Sequence, residues 1–179
     1  MTPSIQIVNS TSEDLATIFE FYDHAVAHQK KVSDKHWQGF DPELITREIA
    51  ESRQYKILVN GEVGCIFVVT FNDPQIWKER DEQPAIYLHR IVTHPNFRGT
   101  GFVKLITEWA IDFAEANQLQ FVRMDTWADN DKLVSYYKKF GFLDAGTIKI
   151  SADSGLPKHY EGITLQLFEI AIASLPAQF

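Results

Sequence analysis

The chain has 179 residues, 45% of them hydrophobic and 23% charged, and carries a net charge of −7 at neutral pH. That length suits one domain over residues 1–179 with a full core, and negative charge without a basic block argues against nucleic acid as the main partner. Cys65 is the only cysteine, which excludes an intrachain disulfide and a multi-cysteine metal site.

The first residues show neither a basic region nor a long apolar run, so no signal peptide or spanning helix is expected and the expected location is the cytoplasm. Residues 5–8 form a short strand. Ser10 and Glu13 fit a capping box. It opens a helix whose apolar face carries Leu15, Ile18, Phe19, Tyr22 and Val26. His24 and His28 have i, i+4 spacing but fall on the expected exposed face, and the remaining histidines are scattered, so no metal site is expected. Residues 30–40 break the pattern and form a loop bearing His36, Trp37 and Phe40. Asp41 and Pro42 are cap and first residue of a second helix, with Leu44, Ile45 and Ile49 inward. Residues 55–59 and 63–71 flank Asn60-Gly61, a pair that tolerates the positive φ angles of a tight hairpin. Residues 72–84, with two prolines and many charges, are expected as a loop.

The next stretch organises the chain. Residues 86–93 are apolar and β-branched, as a buried strand should be. Pro95 ends the strand near His94. Arg98-Gly99-Thr100-Gly101 then opens a helix with Leu105, Ile106, Trp109, Ala110, Phe113 and Ala114 on one face. A helix entered through glycines presents unpaired N–H groups and the positive end of its dipole, which suits phosphate. Three ligands compete with an empty glycine turn. A nucleotide P-loop needs Gly-Lys-Ser/Thr, and Phe102-Val103 stand there instead. A dinucleotide fingerprint needs a third glycine where Lys104 stands, although Asp125 lies roughly 20 residues on, as a ribose-binding acid would. The third ligand is the pyrophosphate of coenzyme A.

Residues 121–127 are another strand. Asp129-Asn130-Asp131 caps a helix bearing Leu133, Val134, Tyr137 and Phe140 and ending at Gly141. Residues 142–150 and 162–171 are the final strands, joined by a loop with Gly155 and Pro157. The order βααβββαβαββ is mixed α/β with an antiparallel first half. It is not the repeating βαβ of a doubly wound dinucleotide fold.

Two stretches carry a family resemblance. Arg98-Gly99-Thr100-Gly101, after a strand with Pro95 in its exit loop, resembles motif A of the GNAT superfamily of N-acetyltransferases. Residues 130–142, Asn-Asp-Lys-Leu-Val-Ser-Tyr-Tyr-Lys-Lys-Phe-Gly-Phe, look like its Asn…Tyr-x-Lys-x-Gly-Phe segment. The element order is similar over essentially the whole chain. The resemblance implies an α/β (α+β) GNAT fold, a mixed central sheet of about seven strands flanked by four helices. It implies transfer of an acetyl group from acetyl-CoA to the primary amine of a small molecule, and a homodimer as one expected assembly; the charge, hydropathy and histidine spacing above add the expectation of no nucleic acid, no membrane and no metal. Ile91, Val92 and Thr93 would bond the pantetheine arm. Arg98, Gly99, Thr100, Gly101, Phe102 and Val103 would wrap the pyrophosphate, and Asn130 would sit beside the coenzyme. Val103 departs from the family, which usually has Gly or Ala there, and adds β-branched bulk near the phosphates. A non-catalytic acyl-CoA-binding module is therefore the alternative.

Acetyl transfer needs a deprotonated amine, a donor for the oxyanion, and an acid for the leaving thiolate. The resemblance gives Tyr137 the last role; a tyrosine of ordinary pKa, about 10, stays protonated at neutral pH. A packed helix tyrosine is the plain alternative, with Tyr136 on another side of the helix. His89 is the candidate base, since a polar side chain inside a central strand is unusual and imidazole titrates near neutrality. Certain aralkylamine-acetylating members resemble this stretch in having a histidine at like spacing. A buried histidine bonded to a neighbour is the alternative. Arg90 is expected to face the other way and pair with a carboxylate, and His94 to face solvent. His159 and Tyr160 belong to the final loop. Trp37 and Phe40 line either the acceptor pocket or the core.

Overall fold

The structure is a computed structural model and describes residues 3–156 and 160–173; Pro157 and His159 lie outside them. In chain order the elements are β1 (Ile5–Asn9), α1 (Leu15–Val32), α2 (Pro42–Ala50), β2 (Gln54–Val59), β3 (Glu62–Thr70), α3 (Pro74–Trp77), β4 (Ala85–Thr93), α4 (Phe102–Ala116), β5 (Phe121–Trp127), α5 (Asp131–Lys138), β6 (Leu143–Lys149) and β7 (Thr164–Ala171). The strands hydrogen-bond in the order β1-β2-β3-β4-β5-β7-β6, a seven-stranded mixed sheet. Four helices were expected beside it, and the described residues form five α-helices. The extra one is α3, a single turn inside the stretch expected as a loop, followed by a 3-10 turn over Lys78–Glu82. Pro74 starts it, where the missing N–H is no loss. No helix among the described residues is long and apolar enough to cross a membrane.

By contacts the chain gathers into two compact units, with β4 running through both. One takes residues up to Val69 and His89–Phe102; the other takes Thr70–Leu88 and residues from Val103 on.

In the first unit, β1 and β2 pair antiparallel from Ile5↔Val59 to Asn9↔Tyr55. β2 and β3 form the expected hairpin. Asn60 and Gly61 have φ of 52° and 87°, the double positive φ of a tight hairpin turn. Ile18, Phe21 and Tyr22 of α1, Ile45 of α2, Ile66 and Val92 make the core. The capping box sits one residue later than Ser10 and Glu13 suggested. The Thr11 N–H donates to Asp14 Oδ2 at 2.7 Å. The register follows Asp14, because Lys56 Nζ bonds both its oxygens at 2.7 Å. Burial raises the Asp14 pKa, but Lys56 and Thr11 outweigh it and hold the carboxyl below its ordinary value. α1 also runs to Val32, into the expected loop, with Lys30 and Lys31 in its last turn. Positive charge there complements the helix dipole.

In the second unit, β5 pairs parallel with β4 over Ala85, Ile86 and Tyr87. β7 pairs antiparallel with both β5 and β6. Ala85, Ile86, Tyr87 and Leu88 are all buried, so this half of β4 is covered on both faces. Arg123 on β5 is fully buried. Its Nε donates to Glu169 at 3.1 Å, Nη1 to the Arg80 carbonyl at 2.7 Å and the Tyr87 hydroxyl at 3.2 Å, and Nη2 to Gln83 Oε1 at 2.6 Å. Its guanidinium lies 4.3 Å from the Phe121 ring centre and 4.6 Å from that of Trp77. Tyr87 donates in turn to Asp81 at 2.6 Å. Breaking a buried ion pair from one side strands its partners. Arg123→Met is therefore expected to lose about 3–5 kcal/mol of stability in urea unfolding. An unchanged midpoint would show that the network contributes nothing.

Candidate active site

The first unit holds most of the predicted coenzyme residues. Residues 91–93 end β4, with Val92 in the core and Ile91 and Thr93 half-buried. The strand is tied to β3 where the His94 N–H donates to the Gly64 carbonyl at 2.9 Å. A 3-10 turn over Pro95–Phe97 follows. Arg98, Gly99 and Thr100 are exposed and Phe102 is buried. Gly99 and Gly101 have φ of 82° and 79°. A Cβ at either would meet nothing within 4 Å, so the backbone angle, not space, calls for glycine. The Thr100 hydroxyl donates to the Phe97 carbonyl at 2.6 Å and closes the turn. The first N–H groups of α4 have no partner within the helix, as at any helix start.

His89 is half-buried at the start of this half of β4 and is engaged by neighbours. His94 does not simply face solvent. It is half-buried, and its Nδ1 accepts from the Asn96 N–H at 3.2 Å. Its ring sits 5.4 Å from Phe21 and 5.7 Å from His24. Arg90 pairs with a carboxylate as expected, that of Glu48. Trp37 and Phe40 pack on the core, with ring centres 5.4 Å apart, and Phe40 lies 4.5 Å from Tyr22. Burial pushes the Tyr22 hydroxyl up to about 12, with Arg90 pulling down and Glu48 pushing up. Burial likewise pushes the Cys65 thiol up to about 12, so it is no nucleophile at neutral pH.

The second unit holds Val103, Asn130 and Tyr137. Val103 is buried in the first turn of α4, and its carbonyl accepts from the Thr107 hydroxyl at 2.8 Å. Asn130 caps α5, its Oδ1 accepting from the Leu133 N–H at 3.1 Å. Tyr137 is 9% exposed, with ring centres 6.0 Å from Phe168 and 5.7 Å from Tyr136. Tyr136 is 37% exposed and on another side of the helix. Tyr160 packs against this unit's core and not on an open loop.

Two residues, Glu48 and Gly64, and one backbone angle were missed. Glu48 lies on the inward face of α2 beside Ile45 and Ile49, where an acid is a signal by itself. Gly64 interrupts a strand pattern, which marks a close approach. The left-handed backbone of Arg90, φ 48°, has no signature in the residue type.

A mixed sheet whose central strand leads through a glycine turn into a helix places the chain among α/β folds. The chain belongs to the acetyltransferase (GNAT) family, whose profile matches residues 18–142. It is 33% identical over 112 residues to the uncharacterized N-acetyltransferase YesJ of Bacillus subtilis (strain 168), covering 59% of this chain. The match spans 61% of that relative's length. A GNAT-family acetyltransferase from Listeria monocytogenes shares the fold with a TM-score of 0.76 at 18% identity, over 96% of this chain and 99% of that one. The putative acetyltransferase yncA from Salmonella typhimurium, solved with acetyl-CoA, does so with a TM-score of 0.67 at 16% identity, over 97% and 96%.

The turn has a tightly packed underside. A Cβ on Gly64 would stand 2.8 Å from Phe102 Cζ and 3.3 Å from Phe97 Cγ. Overpacking of this kind costs about 1–3 kcal/mol and moves what it touches. Gly64→Ala is expected to weaken coenzyme A binding by calorimetry, with the circular dichroism spectrum kept. Unchanged affinity would mean that Phe102 moves without disturbing the turn.

Proposed function

We propose that the chain transfers an acetyl group from acetyl-CoA to the amine of a small molecule. The observation that carries this is the exposed turn at Gly99 and Gly101, held at positive φ directly before α4. Such a turn aims several N–H groups and a positive dipole end at one point, which suits a pyrophosphate. Family membership and the fold shared with the acetyl-CoA-bound Salmonella protein support the same ligand. The burial of Val103 takes its bulk off the turn and removes the steric objection to phosphate binding there.

In this reading the backbone of Ile91, Val92 and Thr93 holds the pantetheine arm, and the residues from Arg98 to Val103 surround the pyrophosphate. Asn130, as the cap of α5, fixes the start of the helix that carries Tyr137. The amine nitrogen, relieved of its proton by His89, attacks the acetyl carbonyl carbon. The oxyanion takes a backbone N–H bond and then collapses. The carbon–sulfur bond breaks, the thiolate takes the Tyr137 proton, and the proton shed by the new amide nitrogen restores the tyrosine through solvent. Ring contacts with Tyr136 and Phe168 hold the Tyr137 side chain in place.

Gly101→Asp would force a side chain onto a φ of 79° and set an anion at the turn. Calorimetry is expected to find coenzyme A binding in the parent and little in the variant, at equal helix content. Equal affinities would place the phosphates elsewhere. Tyr137→Phe keeps the ring and removes the proton. Thiol release should fall by roughly 10²–10⁴-fold, the usual worth of a positioned acid, with coenzyme A affinity nearly unchanged. Parental turnover would remove Tyr137 from the mechanism.

A further inference from the structure

Arg90 is the one non-glycine residue of β4 with positive φ, 48°. A strand residue holds that strained conformation only where its surroundings enforce it, and such positions gather at ligand sites. Here the enforcement comes from α1, α2 and the segment between them. Arg90 Nη2 donates to Glu48 Oε1. The guanidinium lies 4.9 Å from the Phe40 ring centre and 5.6 Å from that of Tyr22.

The pair is buried but incomplete. Glu48 is 3% exposed, and the Arg90 side chain is 14% exposed. Glu48 Oε2 and Arg90 Nη1 are both buried and have no hydrogen-bond partner. A buried ion pair offsets its desolvation only when its remaining polar atoms are bonded. The two charges therefore leave one spare acceptor and one spare donor, beside the aromatic wall of Tyr22, Trp37 and Phe40.

We propose that Arg90 and Glu48 recognise the acceptor, and that the acceptor is an amino acid with an apolar side chain, its carboxylate on Arg90 and its amine on Glu48. The inference rests on the acetyl-transfer reading. The charges decide the class. A simple ammonium would satisfy Glu48 but sit near the guanidinium. A simple carboxylate would satisfy Arg90 but sit near the Glu48 carboxylate. A zwitterion sets each charge against its opposite and adds no net charge to a buried site. The aromatic wall suits an apolar remainder. Arg90 follows His89 directly and precedes residues 91–93, so this anchor is adjacent in β4 to the proposed base and coenzyme strand.

The test compares matched acceptors on the parent protein with acetyl-CoA: phenylalanine and methionine, their carboxamides, and the amines left when the carboxyl group is removed. Thiol release should favour the free amino acids by at least about 10²-fold in kcat/KM, because a site built to bond a group rejects the analogue lacking it. The double variant Glu48→Leu with Arg90→Met removes both charges, an exchange that buried pairs tolerate. It should keep the parental melting temperature and lose the preference for a carboxylate. Calorimetry with coenzyme A present should find phenylalanine or methionine binding in the parent and not in the double variant.

Equal turnover of amines and amino acids would overturn the proposal and leave acetyl transfer standing. A single water bridging the two spare atoms would give that result. A carboxylate preference that survives in the double variant would overturn it as well. A parent that binds coenzyme A but neither binds nor acetylates any amino acid overturns it too. Failure to bind coenzyme A would sink the acetyl-transfer reading, and this inference with it.

Discussion

The left-handed turn of the backbone at Arg90, in the middle of β4, is the constraint on which the rest depends. Up to Leu88 the strand is a regular buried one, paired with β5 over Ala85, Ile86 and Tyr87. A positive φ breaks the alternation of faces, so residues beyond it cannot continue the same pattern of inward and outward side chains. Burial follows: four consecutive buried residues give way to His89, Arg90 and Ile91, all half-buried. Glycine would adopt this angle without strain. It could not reach Glu48 or lie against Phe40 and Tyr22. The strain is retained with the residue that has something to hold.

The two arginines of the central strands make the contrast plain. Arg123 is fully buried and has every nitrogen of its guanidinium bonded, with aromatic rings nearby. A satisfied buried network of this kind specifies a fold. Arg90 also has aromatic company and a buried carboxylate, yet a nitrogen and the facing acid's second oxygen are left over. Each place pairs a guanidinium with a carboxylate among aromatic rings, and satisfaction of the polar atoms separates them. The first is complete without a ligand, whereas the second is stabilised by anything that supplies one donor and one acceptor.

The sequence was most legible where a residue type has one physical use. Asn60-Gly61 announced its hairpin, Pro42 its helix start, and Pro95 the end of β4. The glycines at 99 and 101 announced the turn, because only the backbone angle demands them. Legibility failed where a distant partner decides. Nothing local shows that Lys56 will fix Asp14 and move the capping box to Thr11. His94 reads as a loop histidine until Phe21 and His24 of α1 are placed beside it. α3 escaped because a single turn begun by Pro74 looks like any charged, proline-bearing loop. Of the candidate site, the glycine turn before α4 could be read, because it is a matter of backbone angle. The Arg90–Glu48 cluster could not, being assembled from α1, α2, the segment between them and β4.

Glycines serve the turn in two different ways. At 99 and 101 the space around the missing side chain is open, and the angle alone is needed. At 64 the angle is ordinary and the space is full, with Phe102 and Phe97 against the strand. The turn is thus exposed above and packed from beneath. In the proposed reading, where the turn wraps a long, charged coenzyme, both are useful, since an open face admits the ligand and a packed underside limits relaxation of the N–H groups. Phe102 joins the two, because it is buried against Gly64 and is also the first residue of α4. The same side chain is therefore both the packed underside of the turn and the first residue of the helix.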